Sequence, residues 1–385
     1  MSPVHQPQNT ITRQDFLDAT GASDPVLVVI FLRGGADGLT LVPPTGDDAY
    51  YKARPTLSVA KADAIGLDDY FSLNANLRPL MSYFEAGEFA VIHGAGTEDT
   101  TRSHFEAQDT MEHGGNSGSG WLGRFLRARP GPPSALGAVA IGTTRPESLR
   151  GAPGGAVMQT LRDFSFGDDD PDLIERLARM YAVRTDALGK AGVATIEAVN
   201  RLRKIRACED PPANGAVYPS SKFGRGLREI ARLIRADVGL VATTIDLDGW
   251  DTHFVQGRLI GSLMRDLAGG IDAFLRDLGP QSRRVTVVAM TEFGRRLREN
   301  TSFGTDHGSG STMMVIGPGA LATGLAGKVT SGWNDLAADQ LDEVGDVPAA
   351  INYRDILGPV LQAHTPGVDL AAVFPGHTFE PLPAP

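Results

Sequence analysis

The sequence predicts an α/β protein: a three-layer sandwich with a mostly parallel central sheet and helices on both faces. Three observations carry this. Apolar runs of strand length alternate with helical stretches over most of the chain. The runs at 26–32, 238–245 and 285–290 read as buried strands, as expected where helices cover both faces of a sheet. Carboxylate or imidazole residues stand just beyond these runs, and the carboxyl ends of parallel strands are where such folds keep their sites.

In chain order, a strand at 26–32 is followed by a helix at 77–86 and a second strand at 89–94. A helical pattern over 103–112 opens at Ser103, a favoured N-cap residue. A short strand follows at 136–142. The character then changes over 143–220, where Gly/Pro-rich pieces (130–133 just before, 151–155 within) precede helical stretches at 173–182 and 187–205. No clear strand is legible there, so this segment is expected to be an inserted cap or lid. The alternation resumes with a helix at 223–236, the strand at 238–245, a long amphipathic helix at 259–278, strands at 285–290 and 312–316, and a helix at 353–363. No internal repeat is present, so one domain is expected over 26–385, after a tail at 1–25.

That tail contains Ile11-Thr12-Arg13-Gln14-Asp15-Phe16-Leu17, which looks like the end of a twin-arginine export signal. It has one arginine and lacks the roughly 7–15-residue apolar segment that should follow. It reads as a degenerate signal on a cytoplasmic protein, with export as the alternative.

Composition narrows the function. With 42% hydrophobic and 21% charged residues, the 385-residue chain fits a soluble globular protein. A net charge of −10 argues against nucleic acid or an acidic membrane surface as main partner. No apolar run approaches the roughly 18–20 residues of a membrane span. The single cysteine, Cys208, excludes an intramolecular disulfide and any multi-cysteine metal site. Small molecules are the expected ligands, and a homodimer is left open.

Four segments carry the chemistry. Asp37 follows the first strand and two glycines, an arrangement that also suits a plain turn. Asp248-Gly249-Trp250-Asp251-Thr252-His253 puts Asp251 and His253 two residues apart, so both face one way in an extended segment. Glu292 ends the strand at 285–290, with Arg295 just beyond as an ion-pair partner in the blander reading. Asp306-His307-Gly308 lies in a Gly-rich loop before the strand at 312–316. Carboxylate oxygen and imidazole nitrogen together suit divalent ions of the Zn/Mn class. A nucleophile would come from Asp99-Thr100-Thr101-Arg102-Ser103-His104, where a hydroxyl at a helix start sits in positive backbone potential. Arg102 could hold phosphate or sulfate oxygens by paired hydrogen bonds. The alternative for this stretch is an ordinary Ser N-cap with a packed His104.

Taken in order, these segments resemble a bacterial family called Domain of Unknown Function 1501, placed in the alkaline phosphatase superfamily. The matching stretches include 31–39, Arg102-Ser103-His104-Phe105-Glu106-Ala107-Gln108-Asp109, Gly120-Trp121-Leu122-Gly123-Arg124, Gly249-Trp250-Asp251-Thr252-His253, Thr291-Glu292-Phe293-Gly294-Arg295 and Thr305-Asp306-His307-Gly308. The resemblance implies two divalent ions, Zn or Mn first, with Mg or Ca as further options. One would be held by Asp37, Ser103 and Glu292, the other by Asp251, His253 and His307, with Asp306 unplaced. Ser103 would be the nucleophile, with Arg102 and His104 beside it. The stretch from Asp99 to Glu106 also looks like the nucleophile segment of phosphopentomutases, in which the Thr100 position reacts. Phe293 stands where the superfamily commonly has a histidine, and the formylglycine sulfatase motif is absent. The expected activity is metal-dependent hydrolysis of a phosphate or sulfate ester. A binding protein on the same scaffold and a phosphate-transferring mutase are the rival readings.

Overall fold

A computed structural model describes residues 24–131, 134–163, 171–207 and 211–385; the export-signal reading falls on residues outside these. Eleven strands are formed among the described residues: β1 (Val26–Arg33), β2 (Ala64–Gly66), β3 (Ser72–Asn74), β4 (Phe89–Gly96), β5 (Ala138–Ile141), β6 (Ala156–Met158), β7 (Ala242–Asp248), β8 (Val285–Met290), β9 (Ser311–Ile316), β10 (Lys328–Ser331) and β11 (Ile351–Asn352). Nine of them make the main sheet, in the order β10-β4-β9-β8-β1-β7-β5-β6, with β11 extending alongside β4. β2 and β3 pair separately.

Every pairing in the main sheet is parallel except those of β9, which runs antiparallel to both β4 and β8. This reversal matters for the site. Loops leaving the carboxyl ends of β1, β4, β7 and β8 all emerge on one rim, and the reversed strand brings the loop before β9 to that same rim.

Period-2 alternation divides the strands between two cores. From β1, Val26, Val28, Ile30 and Leu32 face one side, where helices Lys222–Arg235 and Gln256–Leu278 pack. Leu27, Val29 and Phe31 face the other, covered by helices Trp121–Ala128 and Tyr353–His364. The three-layer sandwich expected from the sequence is therefore the architecture observed. Burial of a side chain of this type contributes about 1.5–3 kcal/mol each, so both faces of β1 are strongly specified.

Several boundaries differ from the sequence expectation. The strand expected at 238–245 is formed at Ala242–Asp248; the preceding residues cross between β5 and β1, with Val241 bonding to the Gly137 carbonyl. The helix expected over 77–86 is a 3₁₀ turn at Ala75–Leu80 and an α-helix at Met81–Glu85, because Pro79 cannot donate an internal hydrogen bond. The 143–220 segment is not free of strands: Ala156–Met158 joins the sheet as β6, paired in parallel with β5. Too short for a period to show, it was illegible as a strand. The two helices of that segment, Pro171–Ala182 and Ala187–Ala207, pack on each other through Ile174, Ile196 and Val199. Among the described residues no helix is long and apolar enough to cross a membrane.

Candidate metal centre

The rim loops are closed against one another by one buried arginine. Arg295 donates from Nε to the Gly35 carbonyl (2.7 Å), from Nη1 to the Thr305 carbonyl (2.9 Å), and from Nη2 to the Trp250 carbonyl (3.1 Å) and Asp251 Oδ1 (2.7 Å). It thus ties the loops after β1 and β7 to the loop before β9, and it does not pair with Glu292. Gly34, at φ +116°, lets the first loop lie against the backbone of Trp250 and Asp251, where a Cβ would collide.

Around Asp251 Oδ1 stand three imidazoles. His253 Nε2 is 3.0 Å away, His307 Nε2 3.3 Å and His104 Nε2 3.5 Å. His253 Nε2 and His307 Nε2 are themselves 3.0 Å apart. The ligand atoms of His104, Asp251 and His307 all lie within 4.8 Å of one another, close enough to share one ion. His253 is not part of that mutually close set; its Nε2 lies against Asp251 and His307.

The opposite ring nitrogens decide what these atoms can do. His104 Nδ1 is 2.9 Å from Glu292 Oε1, His253 Nδ1 is 3.1 Å from Asp306 Oδ1, and His307 Nδ1 is 2.8 Å from the Arg102 carbonyl. A carbonyl only accepts. Both carboxyls are held below their ordinary range and so also accept: Glu292 by bonds from His104 and Gln108 that outweigh its burial, Asp306 chiefly by its bond with His253. Each neutral imidazole therefore carries its proton on Nδ1 and turns a lone pair on Nε2 toward the centre. Three Nε2 lone pairs thus face Asp251 Oδ1, to which Arg295 also donates. His104 Nε2 is buried without a hydrogen-bond partner. Such a set fits a divalent cation, and oriented Nδ1 partners are the usual support of metal-bound histidine.

Electrostatics agree. Burial pushes the Asp251 carboxyl up, but Arg295 and the neighbouring imidazoles bring it down to about 2, so it is ionised at neutral pH. Burial lowers His307 and favours its neutral form. His104 runs the other way: its bond to Glu292 raises it and favours the protonated ring, whose proton an ion would have to displace.

Backbone strain concentrates here too. Arg102 (φ +54°), Val255 (φ +43°) and Phe303 (φ +58°) are left-handed non-glycine residues beside the group. At Arg102 the conformation accompanies a carbonyl aimed at His307.

Not every residue singled out in the sequence joins this group. Asp37 is buried and spent elsewhere: its oxygens accept from Arg54 Nη1 (2.6 Å) and Nη2 (3.0 Å), and also from Thr40 and Gln256. Burial alone would push its carboxyl up; Arg54 holds it below the ordinary value. Glu292 is likewise saturated, by Gly34 N, His104, Gln108 and Thr291. The ligand set Asp37–Ser103–Glu292 is thus not assembled, whereas Asp251, His253 and His307 are together, joined by His104. Glu292 and Asp306 stand behind the imidazoles.

Phe293 packs its ring on His104 and His307 (centroids 4.9 and 4.7 Å), so the residue in the expected histidine position braces two imidazoles of the group. Ser103 caps the His104–His113 helix without using its hydroxyl for a capping bond. Thr100 is exposed in the preceding loop. The Arg102 guanidinium lies 3.3 Å from Asp346 and 3.4 Å from Asp342. Arg296 and Arg298, which sequence reasoning passed over, line the open mouth beside His253 and His307 together with Arg102. Their positions five and seven residues after Thr291 offered no signal, since any solvated loop can carry arginines.

The family model described as "Protein of unknown function (DUF1501)" matches residues 88–373. The chain belongs to the DUF1501 family. No curated protein matches its sequence. Among solved structures, it is similar to a mutant of TAB5 alkaline phosphatase with Mg bound in the M3 site, at 11% identity and a TM-score of 0.37, over 89% of this chain and 98% of that one. It is also similar to the alkaline phosphatase from the Antarctic bacterium TAB5, at 10% identity and a TM-score of 0.31 over the same shares. At such TM-scores neither likeness bears on the chemistry of this DUF1501 chain.

Proposed function

We propose that this protein is a metal-dependent hydrolase of phosphate or sulfate esters, with a divalent ion held by His104, Asp251, His253 and His307. The observation that carries the reading is the convergence of three Nε2 lone pairs on Asp251 Oδ1, each fixed from behind by an acceptor on Nδ1. A bound ion would polarise an ester oxygen and lower the pKa of a hydroxyl or water beside it.

The remaining roles fall to the chain's own groups. Ser103 Oγ, adjacent in sequence to His104 and at the start of a ten-residue helix, is the nucleophile we favour. Thr100 is its alternative. Arg296 and Arg298, with Arg102, supply positive charge at the mouth for the anionic oxygens. Glu292, Asp306 and the Arg102 carbonyl hold the three rings in the ligating tautomer. Zn or Mn is the expected ion, with imidazole-rich sets favouring Zn.

The test uses p-nitrophenyl phosphate and p-nitrophenyl sulfate with zinc- or manganese-loaded protein, before and after chelation. Hydrolysis that is lost on chelation and in Ser103→Ala supports the reading. Full activity in both Ser103→Ala and Thr100→Ala contradicts the nucleophile assignment, and absence of hydrolysis in loaded protein contradicts the activity. A second reading, a metal-holding binding protein, is favoured by one observation: Asp37 is committed to Arg54, so the two-ion arrangement is not built from the expected residues.

A further inference from the structure

A separate cavity of about 530 Å³ opens on the same rim, beyond the ends of β1, β5, β6 and β7. Its volume lies within the ~300–1,000 Å³ usual for small-molecule sites. Nothing proposed above uses it. It adjoins the candidate metal centre: Gln108, in its wall, donates to the Glu292 oxygen that also meets His104 Nδ1. Asp248, three residues before Asp251, lines it as well.

The wall chemistry selects among ligands. Arg33, Arg145, Lys222 and Arg225 line the cavity, and so do Glu112, Glu147, Asp246 and Asp248. Four basic and four acidic side chains leave no net sign to attract a simple anion or cation. A hydrocarbon would strip water from these groups without replacing the lost hydrogen bonds. Hydroxyl groups both donate and accept, so a polyhydroxylated ligand satisfies both kinds of wall.

The floor is also rigid. Arg33 is locked by Asp246 (2.7 Å), Gln108 (3.1 Å) and Glu112 (3.2 Å), with its guanidinium over the Phe31 ring. Arg33 takes one oxygen each from Asp246 and Glu112, and burial raises both carboxyls. Hydroxyl donors would relieve that shortage. Thr143, Thr144 and Gln159 add neutral donors and acceptors around them.

We propose that this cavity binds a neutral, polyhydroxylated, carbohydrate-like ligand. The proposal stands independently of the hydrolase reading, because its probes carry no ester. Full-length protein is titrated with glucose, galactose, myo-inositol and maltose in ligand-observed NMR, with hexylamine and hexanoate as charged comparators. At least one neutral polyol binds, and Asp248→Asn and Gln159→Ala each weaken it about tenfold, the loss of roughly one hydrogen bond to a wall group. Neither side chain makes a structural bond in the cavity floor, and unchanged thermal midpoints confirm that both variants fold. The proposal is overturned if no neutral polyol binds, if both variants bind as wild type does, or if hexylamine or hexanoate binds more tightly than any polyol.

Discussion

Asp37 and Asp251 lie just beyond the ends of β1 and β7, adjacent parallel strands, and each follows a glycine-bearing turn. Their fates are opposite. Asp37 is 1% exposed and clamped by the guanidinium of Arg54, itself fully buried; Asp251 is half exposed in its side chain and ringed by imidazole nitrogens. What differs is the partner, not the strand end. A carboxylate matched bidentately by arginine has no oxygen left for an ion. One faced by imidazole nitrogens keeps lone pairs turned toward it, an arrangement that suits a cation.

This contrast breaks most sharply at Arg54. Arg54→Met leaves the Asp37 charge buried and unpaired, which costs about 3–5 kcal/mol, read as a lowered midpoint in urea unfolding. The double variant with Asp37→Leu recovers part of that loss. If Asp37 instead served an ion, Arg54→Met would spare stability and change metal affinity.

On the other side, His253→Ala is expected to leave stability of the metal-free protein nearly unchanged while lowering zinc affinity by about 100-fold or more. Glu292→Gln is milder: it keeps the shape but weakens the acceptor that fixes His104, for a loss of about 10–100-fold. Competition titration against a chromophoric chelator measures both. Equal zinc affinity in wild type and Glu292→Gln would remove Glu292 from its supporting role.

The smallest effects come with pH, and the two aspartates again separate. Asp37 has a lowered carboxyl pKa, so its stabilising charge is present above about pH 4, the ordinary carboxyl range, and is lost only as pH falls through the lowered folded value. His104 is raised by Glu292, so in metal-free protein its protonated form stabilises below about pH 6.5 and that gain disappears as pH rises through the raised value. Zinc must displace that proton, so affinity should decline as pH falls from 8 to 5 while the Asp37–Arg54 pair stays intact. An affinity flat across that range would contradict the imidazole ligands.

The same contrast shows what the sequence could reveal. Hydrophobic patterning placed the central strands and the rim, because burial on both faces leaves a strong pattern in β1 and β8. The short strands β6, β10 and β11 carried too little pattern to read. That Asp251, His253 and His307 meet at one rim was legible because carboxylate and imidazole residues clustered at strand ends. The fate of Asp37 was not, since Arg54 lies seventeen residues away and nothing local announces a buried pair. Nor was the division between ligand and support. Glu292 and His104 are joined across 188 positions, and only the fold brings that carboxylate against Nδ1.

Anomalous diffraction at the zinc edge, from crystals of zinc-loaded protein, locates the ion outright. One strong peak is expected within about 2.0–2.2 Å of Asp251 and the Nε2 atoms of His104, His253 and His307, with Asp37 still paired to Arg54. A peak on Asp37 or Glu292, or no bound zinc at stoichiometric loading, would contradict that assignment.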